Sequence, residues 1–295
     1  MRGILLVLTL ASLLALLAGF GGALHPFGDA LAVFRLQVGV MATTFALALR
    51  LTGMRIGLVL AIVALIAIAP AIWQRVGPVE VPNAALTVYQ KNLSFRLADT
   101  GPVTRDIIAQ NPDVVTLQEV TQANFAVLDA LKETHPTQVH CPFVRVGAVV
   151  ILSRWPAVKG SELCVTGQGL AAVQVTTPRG DLWLVSMHMY WPWPYRQAEQ
   201  LGLLLPELSA LKGPMIVAGD FNMVPGGYSL RAIAGATDTR RARPALNSFP
   251  RFSPWIPMPI DHVFAPGLGA VELRPEFGSD HRGILVRIEH FDFGD

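Results

Sequence analysis

The pattern of apolar positions divides the chain into two regions of different kind. Over the first 75 residues three nearly unbroken apolar stretches follow one another, about Ile4–Leu24, Ala30–Leu49 and Ile56–Trp73. Each approaches the roughly 20 residues that a helix needs to cross a bilayer. Val76–Asn83, with two prolines, reads as a short linker. Beyond it the apolar runs shorten to strand length and are bounded by turn formers. Strands are predicted at Leu86–Gln90, Val114–Leu117, Ala148–Leu152, Leu170–Thr176, Leu182–Met187, Met215–Ala218, Ile260–Phe264, Val271–Arg274 and Ile284–Ile288. Helices are predicted at Thr104–Ala109, Gln122–Lys132 and Arg196–Leu211, the last bent or divided at Pro206. This alternation implies a membrane region over 1–75, a linker over 76–84 and one α/β domain over 85–295.

Polar residues recur where these runs stop. Asn92, Glu119, His188, Asp220 with Asn222, Asp261 with His262, and Asp280 with His281 all stand at or beside predicted strand ends. Taken singly, each has a structural reading as a turn former, cap or helix-start acid. Together they are acids, amides and imidazoles at one kind of position, and ligands of α/β domains gather at strand ends.

Charge changes the picture in one respect. Residues 1–75 hold five Arg and one Asp, leaving 18 basic and 20 acidic residues beyond, a formal net of −2. A domain that grips long nucleic acid usually shows a basic footprint. Here only Arg240, Arg241, Arg243 and Arg251 cluster, either as a clamp for a phosphate group or as a solvated loop.

The segments KNL (91–93), DVVTLQEV (113–120), AVVILSRWP (148–156), SMHMY (186–190), VAGDFN (217–222), IDHVF (260–264) and GSDHRGIL (278–285) occur in that order. In this ordered set the chain resembles the endonuclease/exonuclease/phosphatase family. These are Mg²⁺-dependent phosphodiesterases that include DNase I-like nucleases, inositol-phosphate phosphatases and neutral sphingomyelinases. The resemblance implies a four-layer αββα sandwich with the site at one edge of two packed sheets. It also implies roles. Glu119, with Asn92 and Asp280, would hold Mg²⁺, or Mn²⁺ in its place. Asp220 would position or deprotonate a water with Asn222 as its amide partner, and His188 would donate to phosphate oxygens. Asp261 would orient His281, and either Asp220 or His281 would be the base. His262 carries no role over and reads as structural. The membrane region lies outside the resemblance.

The family spans nucleic acids, inositol phosphates and lipids, so membership does not choose a substrate. The tether, the net charge and two aromatic, proline-rich loops, Met189–Tyr195 and Phe249–Pro259, favour a phospholipid or small membrane-proximal phosphoester over nucleic acid. A membrane-anchored nuclease and a non-catalytic binding protein are the alternatives. Arg2, Arg50 and Arg55 mark the cytoplasmic side by the positive-inside rule, which places residues 76–295 outside a plasma (inner) membrane. The first stretch could instead be a cleaved signal peptide, with the same outcome for the domain. Cys141 and Cys164 are expected either as one disulfide, as an exterior compartment permits, or as two buried thiols.

Overall fold

Every strand expected from the apolar runs forms, and the strands assemble into two six-stranded sheets. The computed structural model describes residues 1–77, 79–144, 146–250 and 256–291. The strands are β1 (Ala84–Asn92), β2 (Val114–Val120), β3 (Thr137–Pro142), β4 (Ala148–Ser153), β5 (Leu163–Val165) and β6 (Leu170–Thr177). They continue with β7 (Gly180–His188), β8 (Met215–Asp220), β9 (Arg240–Arg241), β10 (Asp261–Ala265), β11 (Gly269–Arg274) and β12 (Gly283–Glu289). One sheet runs β11-β12-β1-β2-β4-β3 and the other β5-β6-β7-β8-β10-β9. Within them β1–β2 and β7–β8 are parallel, and the other pairs are antiparallel.

The inner faces pack through Val88, Val114, Ile151, Val173, Leu184, Ile216, Val263 and Val286. Helices α5 (Gly101–Gln110) and α6 (Phe125–Leu131) cover the outer face of the first sheet through Val103, Ile107, Val127 and Leu131. Helices α7 (Gln197–Ala210) and α8 (Tyr228–Ala236) cover the second through Leu201, Leu204, Leu208, Leu230 and Ile233. Helix, sheet, sheet and helix layers make the expected four-layer sandwich. The central strands are buried on both faces, which is why they read as continuous apolar runs rather than alternating ones.

Several elements differ from expectation for local reasons. Pro206 does not divide α7, which is continuous through it. The segment predicted as one helix over Gln122–Lys132 opens with a 3-10 turn, Gln122–Asn124, whose Thr121 and Asn124 form a reciprocal cap before α6. Strands β3, β5 and β9 have no apolar run to announce them, because edge strands are only half covered. Cys141 and Cys164 form a disulfide with Cα atoms 5.4 Å apart, joining β3 of one sheet to β5 of the other.

The amino-terminal region contains α1 (Arg2–Ala18), α2 (Phe27–Val33), α3 (Arg35–Leu51) and α4 (Ile56–Trp73). Among the described residues α4 is the one helix long and apolar enough by itself to cross a membrane, and only 22% of it is buried. The second apolar stretch is not a single straight helix: it breaks at Phe34, where α2 and α3 meet at 72°. Arg35, the one charged residue inside that stretch, does not stand free on its surface. It is buried at the break, donating to the carbonyls of Gly19 (2.6 Å) and Gly226 (3.3 Å). Asp29 of α2 accepts from the backbone N–H groups of Tyr228 (2.6 Å) and Ser229 (3.0 Å), capping α8. Val33 packs in the same apolar cluster as α7 and α8. The helical region is therefore joined to the sandwich by buried polar contacts, not by the linker alone.

Candidate active site

The topology brings the strand-end residues to one edge. Because β1 and β2 are parallel, as are β7 and β8, Asn92, Glu119, His188 and Asp220 leave their strands at the same end. β10 runs antiparallel to β8 and starts there, with Asp261 registered opposite Asp220. His281 lies just before β12, whose first residues pair with the last of β1. Local backbone then aims the side chains. The β2–β4 register shifts between Leu117 and Val120, and Glu119 within that bulge takes a left-handed backbone, φ 56°. Asn222 is also left-handed, φ 47°. Such residues need surrounding structure to hold them, and they concentrate at functional sites. Gly219 meets a different demand: a Cβ there would sit 1.9 Å from the Met187 carbonyl oxygen of the neighbouring strand.

One oxygen, Asp220 Oδ2, is the centre of the arrangement. Asn92 Nδ2 donates to it at 3.0 Å and to Glu119 Oε1 at 3.1 Å. The Nε2 atoms of His188 and His281 each stand 3.6 Å away. The other Asp220 oxygen accepts from the backbone N–H of Asn222 at 2.9 Å. It is thus the Asn222 main chain that touches Asp220, while its amide donates to Met189 O at 2.8 Å and pins the loop beside the cleft. Asp261 Oδ2 accepts from His281 Nδ1 at 2.8 Å, and Asp261 Oδ1 accepts from Gln90 Nε2 at 2.8 Å. The cleft above measures about 260 Å³ and is rimmed by Phe143, Tyr190, Trp191, Tyr195 and Phe249.

Burial and charge set the protonation of these groups. Burial disfavours the charged His281 ring, but Asp261 and Asp220 outweigh it and raise its pKa to about 9. Burial, with Asp261 nearby, lifts Asp220 to about 7, although His281 and the Asn222 and Asn92 hydrogen bonds oppose the rise. Asp261 moves down despite its burial, because His281 stabilises its charge. His188 is buried beside the charged His281 and falls to about 3, so its ring is neutral. Burial raises Glu119 as well, and Asp280 adds to the rise.

These residues fit a hard divalent cation. Asp220, Asp261 and His281 present ligand atoms within 4.8 Å of one another. Asp261 Oδ2 and His281 Nδ1 are already spent on each other. Glu119 and Asp280 line the same cleft, and Asp280 Oδ1 is buried without a hydrogen-bond partner among the described residues. Facing carboxylates with one orphaned oxygen make an oxygen-rich, negatively charged cradle of the kind such a cation takes.

The structure does not bring the arginine cluster to this edge. Arg241 and Arg243 contact Gln74 and Trp73 at the end of α4, and Arg240 stands on the outer strand β9. His262 is buried and its Nε2 lies 2.9 Å from Met223 O, within the support of the loop. Trp193 and Tyr195 of the Met189–Tyr195 loop are exposed, and Trp193 meets Phe27 of α2 edge-on at 5.1 Å. Phe249 packs 4.7 Å from the His281 ring, whereas 251–255 of that second loop, with Arg251, lie outside the described residues. Sequence reasoning missed the buried supports. Gln90 bonds Gln118, which donates to Ser186 Oγ across the two sheets, and Lys91 Nζ donates to His281 O at 2.8 Å. Their signal was available: polar residues inside otherwise apolar strand runs.

A sequence model of the endonuclease/exonuclease/phosphatase family matches residues 92–281. No curated protein matches the chain by sequence. Among solved structures, truncated Caenorhabditis elegans TDP2 superposes with a TM-score of 0.55 at 17% identity, over 70% of this chain and 98% of that one. Sphingomyelinase C from Streptomyces griseocarneus gives 0.51 at 18%, over 69% and 99%. A beta toxin variant from Staphylococcus aureus with bound magnesium ions gives 0.51 at 14%, over 69% and 99%. With the family match spanning Asn92 to His281 and the two-sheet sandwich shared with these structures, the chain belongs to the endonuclease/exonuclease/phosphatase family of metal-dependent phosphoester hydrolases.

Proposed function

We propose that the protein is a Mg²⁺-dependent phosphodiesterase that works at the outer face of a membrane on a phospholipid or another small membrane-proximal phosphoester. The observation that carries this reading is the rim of the cleft. Its described lining holds five aromatic residues and no Lys or Arg. Through Trp193 and Phe27 the rim loop also touches the helical region that would enter the bilayer. A sphingomyelinase among the structural neighbours supports the reading by analogy.

Each residue has a task in this proposal. Glu119, Asn92 and Asp280 hold the cation, which when bound supplies Lewis-acid stabilisation of the phosphoryl oxygens. Asp220, poised near neutrality, accepts the proton of the attacking water, and the Asn222 N–H and Asn92 amide keep its carboxylate aimed. His281, held charged by Asp261, presents Nε2–H to the phosphate or the departing oxygen. Neutral His188 offers a further nitrogen beside the same centre.

The test is a panel of substrates with the purified full chain in detergent and Mg²⁺, Mn²⁺ or chelator. Metal-dependent release of headgroup from phospholipid or sphingomyelin, with little cleavage of DNA, is expected. DNA cleavage with lipids untouched would select the nuclease reading. No turnover on any diester would select a non-catalytic binding protein.

A further inference from the structure

Arg240, Arg241 and Arg243, which the sequence left open as a phosphate clamp or a solvated loop, lie apart from the candidate active-site edge and gather beside the end of α4. Gln74, Arg231, Arg240, Arg241 and Arg243 line a hollow of about 320 Å³ at the carboxyl end of α4, and among the described residues no acidic side chain lines it. Arg75 adds a fifth cation close enough for its charge, after burial and Arg243, to help lower Arg241 to about 10. All the acceptors they have found are neutral. Arg241 donates to Gln74 Oε1 and to Ala242 O, Arg243 to Trp73 O, Arg231 to Gly226 O and Arg75 to Asn247 Oδ1. No carboxylate among the described residues pairs with any of the five. Arg243 Nε is buried and has no acceptor among the described residues.

Capping explains only part of this. Cations at a helix carboxyl end are favourable, and Arg241 and Arg243 occupy that position on α4. Two suffice for it. Arg231 comes from α8 and Arg240 from β9, so separate elements bring like charges together around open space. Guanidinium groups that converge on a hollow without a carboxylate partner among the described residues match an anion with several oxygens, above all a phosphate. The place in the fold narrows the source. The hollow opens where α4, the one helix able to span a bilayer alone, ends at the exposed Trp73. Lipid headgroups lie at that depth, and Trp marks it.

We infer that this arginine hollow is a second, non-catalytic anion site that binds a phosphate group, supplied by an anionic lipid headgroup or by free phosphate. It would hold the sandwich in a set attitude to the bilayer, and it does not depend on the substrate proposed above. The test uses the full chain in detergent with chelator present, so that a metal-dependent cleft contributes little. Phosphatidylglycerol, phosphatidylcholine and inorganic phosphate are each titrated, and bound ligand is read by native mass spectrometry. Arg231→Gln with Arg240→Gln, both at exposed positions, should weaken phosphatidylglycerol binding about 30-fold, taking two surface arginines at their usual worth near anionic lipid. Phosphatidylcholine binding should not change, nor should turnover of a soluble phosphodiester with Mg²⁺ restored. Arg240→Gln alone, whose side chain makes no hydrogen bond among the described residues, provides a variant that should leave the fold untouched. A difference confined to inorganic phosphate would keep the site and assign it to free phosphate. Equal binding of phosphatidylglycerol and of phosphate by wild type and both variants would overturn the inference and leave the arginines as helix caps.

Discussion

At the scale of single residues, the site is a contest for charge around Asp220 Oδ2. Two buried carboxylates, Asp220 and Asp261, face one imidazolium, so removing the proton from His281 in the absence of a cation must be costly. The sign follows from the pKa of about 9. A histidine raised in the folded state stabilises fully below its unfolded value of about 6.5, and that stability is lost as pH rises through 9. Chelated protein should therefore lose Tm between those limits, and Asp261→Asn should flatten the decline. Mg²⁺ replaces protons as the source of positive charge, so its stabilisation should grow with pH. An equal Mg²⁺-induced Tm shift at pH 5 and at pH 8 would rule this account out. Glu119→Gln should cut turnover sharply and shift the Mg²⁺ titration while the far-UV spectrum stays native; an unchanged titration would remove Glu119 from the metal set. Asp220→Ala, Asp261→Ala and His281→Ala should each cost about 100-fold or more in kcat, the usual scale of acid–base assistance. Because the three share one network, double variants should lose far less than the product. Fully multiplicative losses would place one of them outside the mechanism.

At the scale of elements, the informative contact is the one between α2 and α8. Asp29 supplies to α8 a cap that the sequence next to α8 lacks, since Gly227 precedes it without a side chain to offer. Asp29→Ala should cost about 1 kcal/mol, the ordinary worth of a helix cap, with a fall of about 2–4 °C in Tm. Asp29→Asn should recover part of it, and an unchanged Tm in both would mean that α2 does not dock in solution. The central strands and α5 and α7 were legible because burial on both faces, or along one stripe, writes itself into the apolar pattern. The break at Phe34 was not. Arg35 inside an apolar run is compatible with snorkelling until Gly19 and Gly226 are seen to lie within its reach.

At the scale of the whole molecule, side and redox state are linked. The Cys141–Cys164 bridge spans 23 residues of chain and ties the two sheets together. Closing a loop of that length is worth about 3 kcal/mol by the chain-entropy argument, so reduction should lower Tm and leave the candidate active-site cluster assembled. Such a bridge would suit the exterior placement proposed for the domain. A fusion after Asp295 decides the side. Alkaline phosphatase should be active there and a cytosolic fluorophore dark, and the reverse pattern would place the domain inside.

The sequence by itself determined which segments are buried strands, that polar groups interrupt them at their ends, and, through the ordered motifs, the family. These properties are local or one-dimensional: a strand buried on both faces must be apolar along its length, and catalytic groups must stand where it stops. Only the tertiary structure decided which of those groups meet. Asn92 and Asp220 are 128 positions apart and share a hydrogen bond because parallel pairing in both sheets ends at one edge. Arg241 and Asp220 are close in sequence yet lie apart in the fold, because β9 lies at the far side of β10 from β8 and Arg241 meets Gln74 at the end of α4. Sequence separation carries no information about such neighbours, since the register and order of strands set them.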